Sequence, residues 1–134
     1  VGMADPQALV VASAAAQAVE RVGMPEAQII LAEAVNYIAC APKSNASCLS
    51  IGAAMESVKN RKTTVPPHLQ DAHYKGSAKL GHGVGYKYAH DYPEHYVKQQ
   101  YLPTEIEGER FYCPTDIGYE KQAGERIERL RNRE

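Results

Sequence analysis

The stretch DPQALVVASAAAQAVERVGMPEAQIILAEAVNYIACA, residues 5–41, decides the fold class. Asp5 can cap a helix that starts with Pro6, where a missing N–H costs nothing. Gly23 then ends this helix and Pro25 begins a second one after almost no loop. Apolar residues recur at helical spacing along both segments: Leu9, Ala12, Ala16 and Val19, then Ile30, Leu31, Ala34, Val35 and Ile38. The pattern predicts two helices that turn these faces inward.

A third helical pattern follows directly. Ser44 or Asn45 can cap it, and its apolar residues lie at positions i, i+3, i+7 and i+10: Cys48, Ile51, Met55 and Val58. Loops this short leave sequential helices as antiparallel neighbours. We therefore predict a three-helix core over residues 1–62.

From Thr63 onward the sequence is rich in glycine, proline and tyrosine and has little periodicity, which predicts loops and single helical turns. The string GHGVG, residues 81–85, lacks the preceding strand and the third glycine of a nucleotide-binding loop, so we interpret it as a turn with positive φ angles. Asp116 can cap a last helix, whose inner face would hold Ala123, Ile127 and Leu130. The predicted fold is mainly α: an antiparallel helical bundle, a loop-rich wrap over 63–134 and a C-terminal helix within it.

Composition narrows the class of protein. The chain has 134 residues, of which 44% are apolar and 23% charged, and its net charge is −1. These values fit one folded domain spanning residues 1–134. Acidic and basic residues are evenly spread, so the strong positive field of an autonomous nucleic-acid binder is missing. Three cysteines without a CxxC pair favour a reducing compartment, and no apolar run approaches the roughly 18 residues of a membrane span.

Catalytic signatures are absent from the sequence. It contains no phosphate-binding GxxxxGK[ST] string and no nucleophile elbow. The pairs His68/His73 and His90/His95 are each five residues apart, which places the two rings of a pair on different helix faces. A loop could still bring His82 and Asp91 to His90, but zinc-type spacing is missing. We predict no enzyme activity and no catalytic, cofactor-binding or metal-binding residue in this chain.

The segment KYAHDYPEHYVKQQYLP, residues 87–103, collects four tyrosines and two histidines. One interpretation is a seam that packs against the bundle or a neighbouring subunit, since tyrosine offers a large contact area and one polar group. Its candidate members are Tyr92, Tyr96, Tyr101 and Leu102. The alternative is a surface that stacks bases and meets phosphates, with Lys75, Lys79 and Lys87 as candidate DNA contacts. The near-zero net charge favours the seam.

The chain contains, in order, the strings DPQALVVASAAAQAVERVGMPEAQIILAEAVNYIACAPKSN, AHYKGSAKLGHGVGYKYAHDYP and QQYLP. Together they resemble the C-terminal region of the RarA/MgsA family of replication-associated AAA+ ATPases, which includes the Werner-helicase-interacting protein of eukaryotes. The resemblance covers nearly the whole chain. Ala89 stands where the family has a proline, and Glu94, His95 and Tyr96 depart from a version that contains glycine and tryptophan.

The resemblance implies an excised C-terminal oligomerisation domain, related to that of clamp loaders, through which subunits assemble as a homotetramer. ATP and Mg²⁺ would bind to an upstream module of the parent protein, a DNA-dependent ATPase. That parent would act in replication-fork maintenance, recombination and repair, and would meet DNA and replication proteins in the bacterial cytoplasm, at the nucleoid and not at a membrane. The competing function is a direct DNA-binding module. No family catalytic motif has a matching position here, so no catalytic residue is carried over.

Overall fold

A computed structural model describes residues 1–133, apart from the side chain of Ala78. Four α-helices lie in this range: Gln7–Val22 (α1), Ala27–Cys40 (α2), Ala46–Val58 (α3) and Tyr119–Arg131 (α4). Single turns of 3₁₀ helix occur at Gly2–Ala4, Pro67–Leu69, Ser77–Leu80, Ala89–Asp91, Pro93–His95 and Thr104–Ile106. No strand occurs in residues 1–133. The predicted mainly α fold, with a loop-rich second half and a C-terminal helix, is confirmed.

The chain forms two compact units. The first consists of Val1–Gly52 and Phe111–Asn132, and the second of Ala53–Arg110 together with Arg133. The first unit thus holds α1, α2, α4 and the start of α3, while the second holds most of the loop-rich sequence. The boundary at residue 62 was predicted from the change to a sequence rich in glycine, proline and tyrosine. The assignment of residues 1–134 to a single domain stays a prediction.

Helices α1 and α2 form a helical hairpin, and Asp5 holds the first turn of α1. One carboxylate oxygen of Asp5 accepts a hydrogen bond from the Gln7 N–H at 3.0 Å, which confirms the predicted cap. The other oxygen accepts a hydrogen bond from the Tyr37 hydroxyl on α2 at 2.9 Å. At the far end of α1, the Gly23 N–H donates to the Val19 carbonyl at 3.1 Å. Asp5 therefore starts α1 and ties it to α2.

The interior of the first unit is built from small side chains. Its buried apolar residues are Ala4, Ala8, Ala15, Ala27, Ala34, Ala41, Ala46 and Leu130. Alanine lets the backbones of two helices approach closely, and larger apolar side chains then have no room between them. The predicted inner faces are accordingly wrong in part: Leu9 is 78% exposed, and Val35, Ile51 and Met55 are exposed as well. Of these stripes only Ala34 is buried.

Helix α4 does not begin at a cap provided by Asp116, which is exposed. It begins at Tyr119 after Gly118, whose φ is +57°. A Cβ atom at Gly118 would lie 2.1 Å from the Ala4 carbonyl oxygen, so only glycine fits this approach. The predicted inner face of α4 is confirmed, since Leu130 is buried and Ala123 and Ile127 are half-buried.

The second unit is held by hydrogen bonds between side chains and the main chain. His68 Nε2 lies 2.7 Å from the Gln100 carbonyl oxygen, and the Gln100 amide donates to the Leu102 carbonyl at 2.9 Å. The glycines of the GHGVG string all have positive φ angles, between 71° and 82°, which confirms the predicted turn. No helix in the described part of the chain is long and apolar enough to cross a membrane.

Candidate functional site

Helix α3 carries apolar side chains that stay largely exposed within the described part of the chain. Ile51 and Met55 on this helix are 61% and 63% exposed, and Leu49 and Val58 are exposed too. Among the described α-helices, only α1 and α2 pack closely along one another. Ile51, Met55 and Val58 were predicted to face the interior, and their position on the surface makes α3 the leading candidate for contact with another chain.

A buried carboxylate holds the start of α3 against the segment before α4. Glu120 is fully buried, and its Oε2 accepts hydrogen bonds from the Ser44 hydroxyl at 2.9 Å and from the Thr115 N–H and hydroxyl at 2.8 and 2.7 Å. The Ser44 Oγ also accepts the Ala46 N–H at 3.1 Å, which confirms Ser44 as the predicted cap of α3. One carboxylate therefore connects two segments that are far apart in sequence.

The pKa of Glu120 lies below its usual range. Burial alone would raise this pKa, but the hydrogen bonds from Thr115 and Ser44 favour the ionised form and outweigh the burial. Burial raises the pKa of the nearby Tyr112 hydroxyl, and the negative charge of Glu120 adds to that effect. The Tyr112 hydroxyl and Glu120 Oε1 are both buried, and they lie near each other without reaching hydrogen-bond geometry within the described residues. The lowered pKa favours an ionised Glu120 carboxylate, whose role is to hold the two segments together.

Two of the four candidate seam residues line a cavity of the second unit, and the other two do not. Tyr92, 38% exposed, and the half-buried Tyr96 both line one cavity of the second unit. Tyr101 is 50% exposed, and its hydroxyl accepts a hydrogen bond from the Gln99 amide at 3.1 Å. Leu102 is half-buried. These exposures leave ring surface available to a partner, and the seam itself stays a prediction.

The candidate DNA contacts also separate. Lys87 lies at the same cavity as Tyr92 and Tyr96, whereas Lys75 and Lys79 do not line it. Both of these lysines are exposed. The structure therefore joins one of the three predicted lysines to the tyrosines.

Two further basic residues line this cavity: Lys98, which is interleaved with the tyrosines but was not among the three candidate contacts, and Arg133, which the sequence interpretation missed. Lys98 and Arg133 line it together with Lys87. Lys98 had a signal in the sequence, because it lies two residues after Tyr96 in the tyrosine-rich segment. Arg133 had none, since it is distant in sequence and reaches the cavity only through the fold.

The histidines make hydrogen bonds or ring contacts to other residues of the chain. His82 Nδ1 lies 2.7 Å from the Tyr74 hydroxyl, and His73 Nδ1 lies 2.7 Å from an Asp71 carboxylate oxygen. The His90 ring contacts His95, with ring centroids 4.8 Å apart. In residues 1–133, no group of three or more His, Cys, Asp or Glu side chains is placed to hold a metal ion.

Comparison with known proteins gives consistent matches over nearly the whole chain. The family described as "MgsA AAA+ ATPase C terminal" matches residues 1–131. An uncharacterized AAA domain-containing protein of Mycobacterium tuberculosis is 51% identical over 132 residues, which cover 98% of this chain and 29% of that protein.

Two further relatives are named replication-associated recombination protein A. The Bacillus subtilis protein is 45% identical over 119 residues, covering 88% of this chain and 28% of the relative. The Escherichia coli K12 protein is 42% identical over 129 residues, covering 95% of this chain and 29% of the relative. The chain therefore spans less than a third of the length of the relatives that it matches.

Proposed function

The chain belongs to the family of MgsA-type AAA+ ATPase C-terminal regions, and from this premise we propose that it is the domain through which the subunits of a replication-associated ATPase assemble. Its ligand in that role is a second copy of itself. The observation that carries the proposal is the exposed apolar stripe of α3.

An apolar stripe at helical spacing normally faces a packed surface, because each large apolar side chain buried from water stabilises by roughly 1.5–3 kcal/mol. On α3 this stabilisation is unused within the chain, since no other α-helix of the described residues packs closely along it. A stripe that meets its own copy across a two-fold axis is self-complementary. Self-association would therefore bury Ile51 and Met55 without any further partner.

The proposal is tested by light scattering on the chain at micromolar concentration. We expect a mass of at least twice the 14.7 kDa of one chain, since a two-fold contact by itself joins two chains; the homotetramer that the resemblance implies would give four times this mass. The double variant Ile51→Glu, Met55→Glu should move the mass toward 14.7 kDa, because a carboxylate in an apolar interface is strongly unfavourable unless it is paired.

The matched control is Gln122→Glu, which also adds a carboxylate to an exposed helix position but removes no apolar side chain. It should leave the mass unchanged. If the unsubstituted 134-residue chain stays monomeric at high concentration, the assembly role is refuted. Equal loss of mass in the control and the α3 variant would show that added charge, and not the stripe, controls assembly.

The remaining role of the parent protein follows from the same proposal. The chain corresponds to less than a third of its relatives, two of which carry the name replication-associated recombination protein A. We infer an upstream module that binds ATP and Mg²⁺, and an action on DNA in fork maintenance, recombination and repair in the bacterial cytoplasm. Activity of a full-length parent that collapses with the α3 double variant would support this inference.

A further inference from the structure

The cavity of the second unit is positively charged. It encloses about 520 Å³, within the roughly 300–1,000 Å³ of typical ligand sites. Lys87, Lys98 and Arg133 line it, and none of the lining residues within 1–133 is acidic. Arg133 forms an ion pair with Glu94 at 3.3 Å. Among the described residues, the Lys87 ammonium group donates only to the Lys98 carbonyl oxygen, at 3.3 Å, and a carbonyl leaves the ammonium charge in place.

Lys98 is the least satisfied of these cations. Its ammonium group makes no hydrogen bond or ion pair within residues 1–133. Two uncompensated ammonium groups at one concave surface attract an anion more strongly than the same charges spread over a convex one. The lining therefore indicates a ligand with at least one negative charge.

Aromatic rings form the other half of the lining. The rings of Tyr92 and Tyr96 line the cavity beside Pro93 and Val97, and in the described part of the chain neither tyrosine hydroxyl makes a hydrogen bond. Ring surface next to ammonium groups is the combination that holds single-stranded nucleic acid, because each base offers a flat face and each nucleotide a phosphate. A simple anion such as phosphate has no flat face that could stack on the two rings.

The walls of the cavity are held in place by contacts of their own. The Gln99 side-chain amide brackets Lys87, accepting its N–H at 3.1 Å and donating to its carbonyl at 2.9 Å. Glu94 and His95, which follow the lining residue Pro93 in sequence, have φ angles of +56° and +53°, a region that residues other than glycine rarely occupy. Such strained residues cluster at ligand sites, where the surrounding structure fixes them.

We propose that this cavity binds single-stranded DNA. Lys87 and Lys98 contact phosphate oxygens, and the rings of Tyr92 and Tyr96 stack on a base. A duplex is a poor ligand for this site, because its base faces are covered by their neighbours and a base must leave the stack before a ring can replace them. The site does not depend on self-assembly, since all of its residues belong to one unit of one chain.

The proposal gives Tyr92 and Tyr96 a role different from the predicted seam. In a seam, their rings pack against another protein surface, and their loss lowers stability or oligomer mass. At a DNA site, their loss lowers DNA affinity while mass and melting temperature stay near those of the parent.

The test measures fluorescence anisotropy of a labelled oligo(dT) of twenty nucleotides with the full 134-residue chain at 50 mM salt. The double variant Lys87→Gln, Lys98→Gln should lower the affinity at least tenfold. It should also reduce the salt dependence, log K against log[salt], by about 0.7 for each lost phosphate contact. Tyr96→Leu should lower affinity about fivefold or more, as loss of a stacked base does.

The matched control is Lys75→Gln, Lys79→Gln, which removes the same charge from exposed positions outside the cavity. It should leave both affinity and salt dependence close to those of the parent. Light scattering and thermal melting of every variant separate this site from assembly. If Tyr96→Leu proves unstable, the lysine pair alone decides the test, because neither lysine ammonium forms an ion pair within residues 1–133.

Three outcomes would overturn the proposal. The first is a parent chain that does not bind the oligonucleotide at 50 mM salt. The second is an equal loss of affinity in the control pair and the cavity pair, which would assign the binding to general charge. The third is displacement of the oligonucleotide by polyglutamate as readily as by unlabelled oligo(dT), which would make the cavity a site for acidic peptides.

Discussion

Removing the Glu120 carboxylate should destabilise the first unit more than any other single change to a charged residue there. This fully buried side chain accepts three hydrogen bonds through one oxygen, from the Ser44 hydroxyl and from the Thr115 N–H and hydroxyl. In Glu120→Ala the two hydroxyls can turn to other acceptors, but the part-buried Thr115 N–H loses the carboxylate that accepts it. The start of α3 and the segment before α4 then lose their shared contact.

The magnitude follows from these bonds. Hydrogen bonds to a charged group contribute about 1.5–3 kcal/mol each, and a buried donor left unpaired costs a further 1–3 kcal/mol. Since the two hydroxyls recover part of the loss, we expect Glu120→Ala to lower the free energy of unfolding by about 4 kcal/mol. For a chain of this size that corresponds to a fall in melting temperature of roughly 12 °C. Glu120→Gln keeps an acceptor oxygen and should cost about half as much.

The assay is urea unfolding followed by circular dichroism, at a fixed protein concentration so that assembly contributes equally to all variants. Glu125→Ala, at an exposed position of the same helix, is the matched control and should change stability by less than about 0.5 kcal/mol. Similar losses in Glu120→Ala and Glu125→Ala would refute the reasoning, because the carboxylate would then carry no special contact.

The pH dependence of the same variants supplies an independent test. The pKa of Glu120 is lower in the folded chain than in the unfolded one, so the ionised carboxylate stabilises the fold above the unfolded value of about 4.3. This stabilisation is lost as the pH falls below that value and through the folded pKa. The stability difference between the parent and Glu120→Gln should therefore be constant from pH 8 to about 5 and narrow below about 4.3. A difference that widens in acid would contradict the assigned sign.

Three further outcomes test other contacts. Gly118→Ala should lower the melting temperature, because its Cβ would lie 2.1 Å from a main-chain carbonyl oxygen, whereas Gly52→Ala, with nothing within 4 Å, should leave the temperature unchanged or raise it. The Ser57 hydroxyl lies 2.5 Å from Glu109 and helps to keep the pKa of Glu109 low, so Glu109→Gln should speed amide hydrogen exchange at the end of α3 at pH 7. If Tyr101 packs in the predicted seam, Tyr101→Ala lowers the oligomer mass or the melting temperature, and a variant that matches the parent in both would remove it from the seam.

Local chemistry along the chain accounts for the elements that the sequence predicted correctly. Asp5 caps α1, Ser44 caps α3, and the glycines of residues 81–85 form a turn, because each of these features depends on a few neighbouring residues. Family membership was also evident from sequence strings, which need no structure to be compared.

Helix starts were less reliable where two segments far apart in sequence meet. Asp116 looked like the cap of the last helix, but α4 begins after Gly118, where the backbone passes close to Ala4. The local signal for a cap was present, and a close approach between distant segments overrode it. Glu120 could not be recognised for the same reason, since one of its hydrogen-bond donors, Ser44, is remote in sequence.

The sequence by itself determined that the chain is mainly α, where its helices lie to within a few residues, and that each of the first three has an apolar side. Periodicity reports that a side is apolar, but not what covers it. Only the tertiary structure decided that alanines fill the space between α1 and α2, and that Ile51 and Met55 on α3 stay exposed. The same holds for the cavity, because Arg133 joins Lys87 there through the path of the backbone and not through any spacing in the sequence.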